Sequence, residues 1–342
     1  MQSVPIDQFL TLARAHPILD VRSPSEYGHA HIPGAHSLPL FSDDERKVVG
    51  TAYMQQSRED AIKIGLDYFG VKMRALVEMV EAIAGSLPRT VLVHCWRGGM
   101  RSAGVAWLLD LYGFKVYTLV GGYKAYRNWS LQQFSLPWQF NVIGGYTGSG
   151  KTELLYALSQ QGHATIDLEA IAHHKGSAFG GLGQPAQPTQ EMFENILALQ
   201  LSKINSSPVY IEDESRRIGQ LNIPNALWET MQRSPVSFLD IPFSERLAFI
   251  AEAYGKFTTE ELTAAITRIQ KRLGGLNAKT AIAYLNEGNL REAFGILLTY
   301  YDKCYYSGLH IRPDINALLS TYVCTQIDAV INAQNLLAKK HL

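Results

Sequence analysis

Short apolar runs alternate with amphipathic stretches along most of the 342-residue chain. That alternation predicts strand–helix repeats and parallel sheets. In the first part, "PILDV" (17–21), "TVLVHC" (90–95) and "KVYTLV" (115–120) read as strands. Residues 58–85 keep mostly helical spacing with a break near Gly70, and "SAGVAWLLDLYG" (102–113) is a helix that stops on a glycine. The pattern lapses around "NWSLQQFSLPWQ" (128–139), which places a domain boundary there. "FNVIGG" (140–145) opens a second series of strands, continued by "HATIDL" (163–168), "SPVYIED" (207–213) and "SPVSFLDIPF" (234–243). From about residue 245 the chain turns almost wholly helical. The expected fold class is α/β with two parallel-sheet domains, 1–130 and 138–342, the second carrying a helical C-terminal part.

Composition narrows this little. The length suits two domains, and 46% hydrophobic with 18% charged residues suits a globular protein rather than a disordered one. Lys+Arg and Asp+Glu both total 31, so net charge points to no polyanionic partner, although a local basic face can still bind phosphates. The three cysteines, Cys95, Cys304 and Cys324, have no paired spacing, which argues against a disulfide framework and a four-ligand zinc site. Cys304 and Cys324 are expected as core or half-buried residues. No apolar run is long enough for a membrane span, and the start lacks a signal-peptide layout. The expected location is the cytoplasm.

"GYTGSGKT" (145–152) fits G-x-x-x-x-G-K-[ST], with Gly145, Gly148, Ser149, Gly150, Lys151 and Thr152 forming the loop. It follows an apolar strand and opens a helical run, the context this motif requires. Backbone N–H groups and a helix N-terminus make an anion cradle. Lys151 would meet terminal phosphate oxygens. The cradle recognises a diphosphate group and not a base, so ATP, GTP and a prenyl diphosphate all remain open. "VYIEDES" (209–215) offers Glu212, Asp213 or Glu214 as a carboxylate for Mg²⁺, with Thr152 and Asp213 the favoured ligand pair. Asp167 and Glu169 are second-rank candidates for the same role.

"VHCWRGGMRS" (93–102) places Cys95 at a strand end, before a turn with Arg97, Gly98 and Gly99, and with Arg101 closing the run. Converging N–H groups, the arginine and a helix dipole all lower a thiol pKa and favour a nucleophilic thiolate. Five residues separate Cys95 from Arg101, the spacing of cysteine phosphatases. Loops that carry sulfur or selenium are close to it in length. Both chemistries stay open on the loop alone.

Upstream, "LDVRSPSEYGHAHIPGAHSLP" (19–39) resembles the rhodanese family, a resemblance that implies structural roles for Arg22 and Glu26. The cysteine loop is one residue longer than that of most sulfurtransferases. A rhodanese-like domain followed by a P-loop NTPase-like domain resembles the tRNA 2-selenouridine synthases. The matching strings include "FSDDERKVVGTAYMQQS" (41–57), "CWRGGMRS" (95–102), "LVGGYKAYR" (119–127), "GGYTGSGKTELL" (144–155), "IDLEAIAHHKGSAFGG" (166–181) and "IEDESRRIG" (211–219).

The resemblance implies a transferase acting on tRNA that carries wobble 2-thiouridine, in the lysine, glutamate and glutamine acceptors. The sulfur would be geranylated with geranyl diphosphate, and the S-geranyl group then replaced by selenium from selenophosphate. It implies these two co-substrates with no tightly bound cofactor, and a selenophosphate-producing enzyme as the donor source. The P-loop would suit the diphosphate, and the Cys95 loop the phosphate-sized selenophosphate.

Other residues carry weaker signals. His173, His174 and Lys175 can touch phosphate or RNA, or belong to an ordinary surface loop. Arg216 and Arg217 can clamp diphosphate or RNA backbone, or be solvated strand-end charges. Arg268, Lys271 and Arg272 share one helical face that reads more readily as an ordinary basic surface than as a tRNA contact. The tyrosines of "TYYDKCYYSG" (299–308) can line an isoprenoid pocket or stack on bases, though at helical spacing they more often pack.

Overall fold

Buried apolar runs build the first sheet: β1 (Gln2–Val4), β2 (Ile18–Asp20), β3 (His36–Ser37), β4 (Thr90–His94) and β5 (Lys115–Leu119). They pair in the order β1-β5-β4-β2-β3, all parallel. Central β4 is buried at every position, as a strand covered on both faces must be. The helices between the strands are α1 (Ile6–Leu12), α2 (Pro24–His29), α3 (Asp43–Gln55), α4 (Arg58–Gly70), α5 (Met73–Ala84), α6 (Met100–Tyr112) and α7 (Gly122–Gln133). Ser23 and Ser42 start α2 and α3 through capping boxes with Glu26 and Glu45. The apolar stripe of α5 (Leu76, Val77, Val80) joins Val91, Val93, Val105 and Leu109 in one core.

The sequence pattern does not announce β1, and one expectation fails in this unit. β1 is too short to show a period, with only Val4 buried. The pattern does not lapse at 128–133, because Tyr123, Tyr126 and Ser130 continue the buried side of α7. The computed structural model describes residues 1–85 and 89–338, so positions 339–342 of the expected second domain lie outside the described residues. The chain divides into one unit of Met1–Gln133 with Glu194–Leu199, and a second of Phe134–Phe193 with Gln200–Leu342. In the first unit, fully buried Asn195 donates to Tyr123 Oη (2.8 Å) and His31 O (3.0 Å).

The second unit begins with β6 (Phe140–Gly145), α8 (Lys151–Gln160), β7 (Thr165–Ile166) and α9 (Leu168–Ala172). Helix α10 (Gln190–Ser202) leads to β8 (Val209–Glu212), the hairpin β9 (Arg217–Ile218) and β10 (Leu221–Asn222), α11 (Asn225–Gln232) and β11 (Val236–Asp240). The tail holds α12 (Phe243–Tyr254), α13 (Thr259–Leu273), α14 (Gly275–Asn286), α15 (Leu290–His310), α16 (Ile315–Leu318), β12 (Leu319–Val323) and α17 (Ala329–Ala338). The five-stranded sheet has the order β12-β11-β6-β8-β7 and is parallel throughout. The tail is therefore not wholly helical. β12 pairs with β11 along five residues, although only Tyr322 of β12 is buried and its sequence shows no clear alternation. Among the described residues no helix is long and apolar enough to cross a membrane.

Candidate active sites

In each sheet the loop of interest leaves the C-terminal end of an interior strand, where open parallel sheets form their crevices. Cys95 directly follows β4 and is 3% exposed. Gly99 N–H donates to its Sγ at 3.3 Å, and Ser102 Oγ lies 3.2 Å from it. Burial raises the thiol pKa. The hydrogen bonds from Ser102 and Gly99 and the nearby charge of Arg101 outweigh burial, so the net shift is downward. Arg101 is held by Glu26, with Nη1 2.7 Å from Oε2. Although burial pushes the Glu26 carboxyl up, Arg101, the Ser23 N–H and Arg46 bring it to about 2. Glu26 is thus ionised and fixes the arginine beside the thiol. Arg97, Gly98 and Gly99 are exposed. Arg22 is fully buried against Asp20 (2.6 Å) and donates to Ala30 O.

Two functional positions escaped the sequence reading. Ser102 looks like an ordinary helix residue there, yet its hydroxyl contacts the sulfur. Gly122 (φ +58) begins α7, whose Tyr123 and Lys124 N–H groups donate to Cys95 O and Trp96 O. A Cβ on Gly122 would overlap Cys95 O. The matching string "LVGGYKAYR" was the available signal, because it packs behind the cysteine loop.

The second loop joins β6 to α8, with left-handed Gly150 (φ +74) as the helix N-cap. A Cβ there would stand 2.6 Å from Ile327 Cγ2. Lys151 Nζ donates to Gly145 O (3.3 Å), and Thr152 Oγ1 donates to Glu212 Oε1 (3.0 Å). Ser149 is 1% exposed, and its hydroxyl has no hydrogen-bond partner among the described residues. The carboxylate beside Thr152 is therefore Glu212, not Asp213. Asp213 is engaged elsewhere: Arg312 pairs with one oxygen and Tyr305 Oη donates to the other at 2.5 Å. Tyr305 Oη in turn accepts from Gly145 N–H (3.1 Å). Buried Arg246 donates to Thr147 O (3.1 Å) and forks onto Asp302 (2.9 and 2.8 Å). The tail thus braces the phosphate loop at both Gly145 and Thr147. Among the described residues no group of three His, Cys, Asp or Glu side chains is arranged to hold a metal ion.

Glu169, Glu212 and Glu214 crowd toward Lys151, with Asp167 beside them. Glu169 N–H donates to Glu212 Oε2 (3.1 Å). Burial, then the neighbouring carboxylates, pushes Glu169 up to about 9 and Glu212 well above the ordinary range. Burial likewise raises Asp167, and raises Glu214 to about 7 despite the charge of Lys151. A carboxyl that ionises near 4.5 in the unfolded chain and near 9 in the folded one takes up a proton on folding between those values. Its contribution to stability therefore falls as pH rises through that window. Glu169→Gln removes the penalty. The variant should melt about 5 °C above the parent at pH 8, from about 2 kcal/mol, and close to it at pH 4.5. Equal differences at the two pH values in a thermal-shift titration would contradict the assignment.

Around the P-loop lies a cavity of about 710 Å³, within the size range of small-molecule sites. One wall is the loop from Thr147 to Thr152. Another is apolar and aromatic, with Trp228, Phe249, Ile250, Tyr254, Tyr301 and Leu309. Of the weaker candidates, Lys175, Arg216, Tyr301 and Tyr305 line it. His173 instead contacts Ala186 O through Nδ1 (3.0 Å), and His174, also outside the lining, has a depressed pKa from burial and Arg268. Arg217 donates to Gly219 O within the hairpin. Arg268, Lys271 and Arg272 are exposed, and Arg268 donates to Ala178 O (2.9 Å). Cys324 is buried, but Cys304 is exposed and lines the cavity, because its place on α15 turns it out of the helical core.

Comparison with known proteins accounts for both units. A model described as the tRNA 2-selenouridine synthase AAA domain matches residues 138–314, and a rhodanese-like domain model matches 6–128. The tRNA 2-selenouridine synthase of Hydrogenovibrio crunogenus is 37% identical over 324 residues, covering 84% of this chain and 88% of the relative. That of Bdellovibrio bacteriovorus is 35% identical over 361 residues, covering 91% and 94%. That of Nitrosomonas europaea is 40% identical over 248 residues, covering 70% of this chain and 63% of the relative. The expected pairing of a rhodanese-like parallel-sheet domain with a P-loop-type domain therefore holds. With both units matched and relatives aligned over most of their length, the chain belongs to the tRNA 2-selenouridine synthase family.

Proposed function

We propose that this protein converts the wobble 2-thiouridine of tRNA to 2-selenouridine in the cytoplasm, by S-geranylation and then replacement of the S-geranyl group with selenium. The observation that carries the first step is the shared cavity, where a diphosphate cradle continues into an apolar, aromatic wall. Beyond the cradle, Ile250, Leu309 and Tyr254 give a geranyl chain apolar surface on which to bury itself. In transfer, the thiouridine sulfur bonds to the first geranyl carbon as its C–O bond breaks. The ring N3 proton leaves, and diphosphate departs. Lys151 and the loop N–H groups offset the charge developing on diphosphate. Glu214, which lines the cavity and titrates near 7, is placed to accept the proton. A Mg²⁺ ion arriving with the diphosphate would be held by Thr152 and Glu212, and would add charge neutralisation.

The second step suits the other loop. Selenophosphate is a phosphate-sized anion, and the Cys95 turn offers the Gly99 N–H with the charge of Arg101 nearby. Alkylation matters here because a thiocarbonyl sulfur leaves poorly: the selenium of selenophosphate bonds to the ring C2 as geranylthiol departs, and water then takes the phosphoryl group as the Se–P bond breaks, releasing phosphate. The direct test is nucleoside mass spectrometry of tRNA from selenite-fed cells lacking this protein. Loss of 2-selenouridine is expected, and its persistence would refute the reading.

A further inference from the structure

Two residues that line the P-loop cavity each carry a shielded donor without an acceptor. Arg312 Nη1 and Gln232 Nε2 are out of solvent and make no hydrogen bond among the described residues, and both residues line the cavity. Arg312 is 6% exposed, and its other terminal nitrogen is paired with Asp213. Buried polar groups are normally satisfied, so such donors point to a ligand that brings acceptors. Trp228 stands four residues before Gln232 on α11, on the same helix face, and also lines the cavity. Exposed Arg216 lines it too, and pairs with Asn225 at the start of α11.

The chemistry of this wall differs from that of the phosphate loop. The charge of Arg312 is balanced by Asp213, and Gln232 is neutral, so the wall supplies donors without net charge. That favours a carbonyl over a second anion. The Gln232 amide N–H can donate to the 4-carbonyl oxygen of a uracil ring, which leaves the ring N3–H free to face Glu214. Trp228 adds an aromatic face for stacking, and Arg216 a cation for an adjoining phosphate.

We propose that Trp228, Gln232 and Arg312 form the seat of the acceptor uracil ring, extruded from the RNA, with Arg216 meeting a flanking phosphate. This rests on the tRNA-modifying reading above. A base held there shares one cavity with the diphosphate cradle, as transfer between the two requires.

The test uses the full-length protein and two synthetic anticodon stem-loops, one with wobble 2-thiouridine and one abasic at that position. Binding is read by fluorescence anisotropy at fixed salt. The parent protein should favour the thiouridine loop by about 30-fold, and Gln232→Leu should bring the two within about 3-fold. Arg216→Ala should weaken both loops alike. Inorganic diphosphate affinity, measured in parallel, should be unchanged in Gln232→Leu. If it falls, the isosteric Gln232→Glu decides by the same comparison of loops. A parent with no preference, or a Gln232 variant that keeps the full preference, overturns the seat. Failure of the underlying reading shows separately, as absence of geranyl transfer to the thiouridine loop whatever the binding result.

Discussion

Cells whose only copy carries Cys95→Ser should accumulate S-geranyl-2-thiouridine in tRNA and contain no 2-selenouridine. The thiol is held below its ordinary pKa by Ser102, Gly99 and Arg101, acting against burial. A serine hydroxyl in the same place stays un-ionised at neutral pH and is a far weaker nucleophile. Selenium insertion should fall by at least about a thousand-fold. The substitution is nearly isosteric, and the Gly99 and Ser102 partners can still bond to oxygen, so stability should change little. The described residues that line the P-loop cavity belong to the second unit, so geranyl transfer should persist. Selenite-fed cultures and nucleoside mass spectrometry give the answer directly. Finding neither modified nucleoside would show that the two steps do not divide between the loops.

The second large effect is the reciprocal one. Lys151→Ala removes the cation that the proposed transfer sets against the departing diphosphate, and should lower geranyl transfer by about 100- to 1,000-fold. tRNA from such cells should carry unmodified 2-thiouridine alone. A stem-loop geranylated in advance should still be selenated by the purified variant, because the Cys95 loop is untouched. Transfer within about ten-fold of the parent would remove Lys151 from the mechanism.

The local motifs were legible because their chemistry is local. The strand, glycine turn and helix around Cys95 and around Lys151 occupy a few consecutive residues, and periodicity marked both flanks. The choice among Glu212, Asp213 and Glu214 was not legible. It is decided by Arg312, which takes Asp213 from 99 residues away, and by Thr152, which faces Glu212. Cys304 was expected as a core or half-buried residue, because helical spacing does not say which face meets a cavity. β12 escaped notice because an edge strand with one buried residue has little alternation to show. Nothing in the pattern of Glu194–Leu199 announces that it clusters with the first unit, since that association is purely tertiary.

The brace at Tyr305 has a temporal consequence. Its hydroxyl, 160 residues along the chain from Gly145, ties the Gly145 N–H to Asp213. At about 5–20 residues per second of synthesis, roughly 10–30 s pass between the emergence of the phosphate loop and that of its brace. During this interval the nascent chain displays the loop and its crowded carboxyls without the helices that hold them. The braced geometry of the P-loop is therefore acquired late in the birth of the molecule, after the first unit has had time to form its own core.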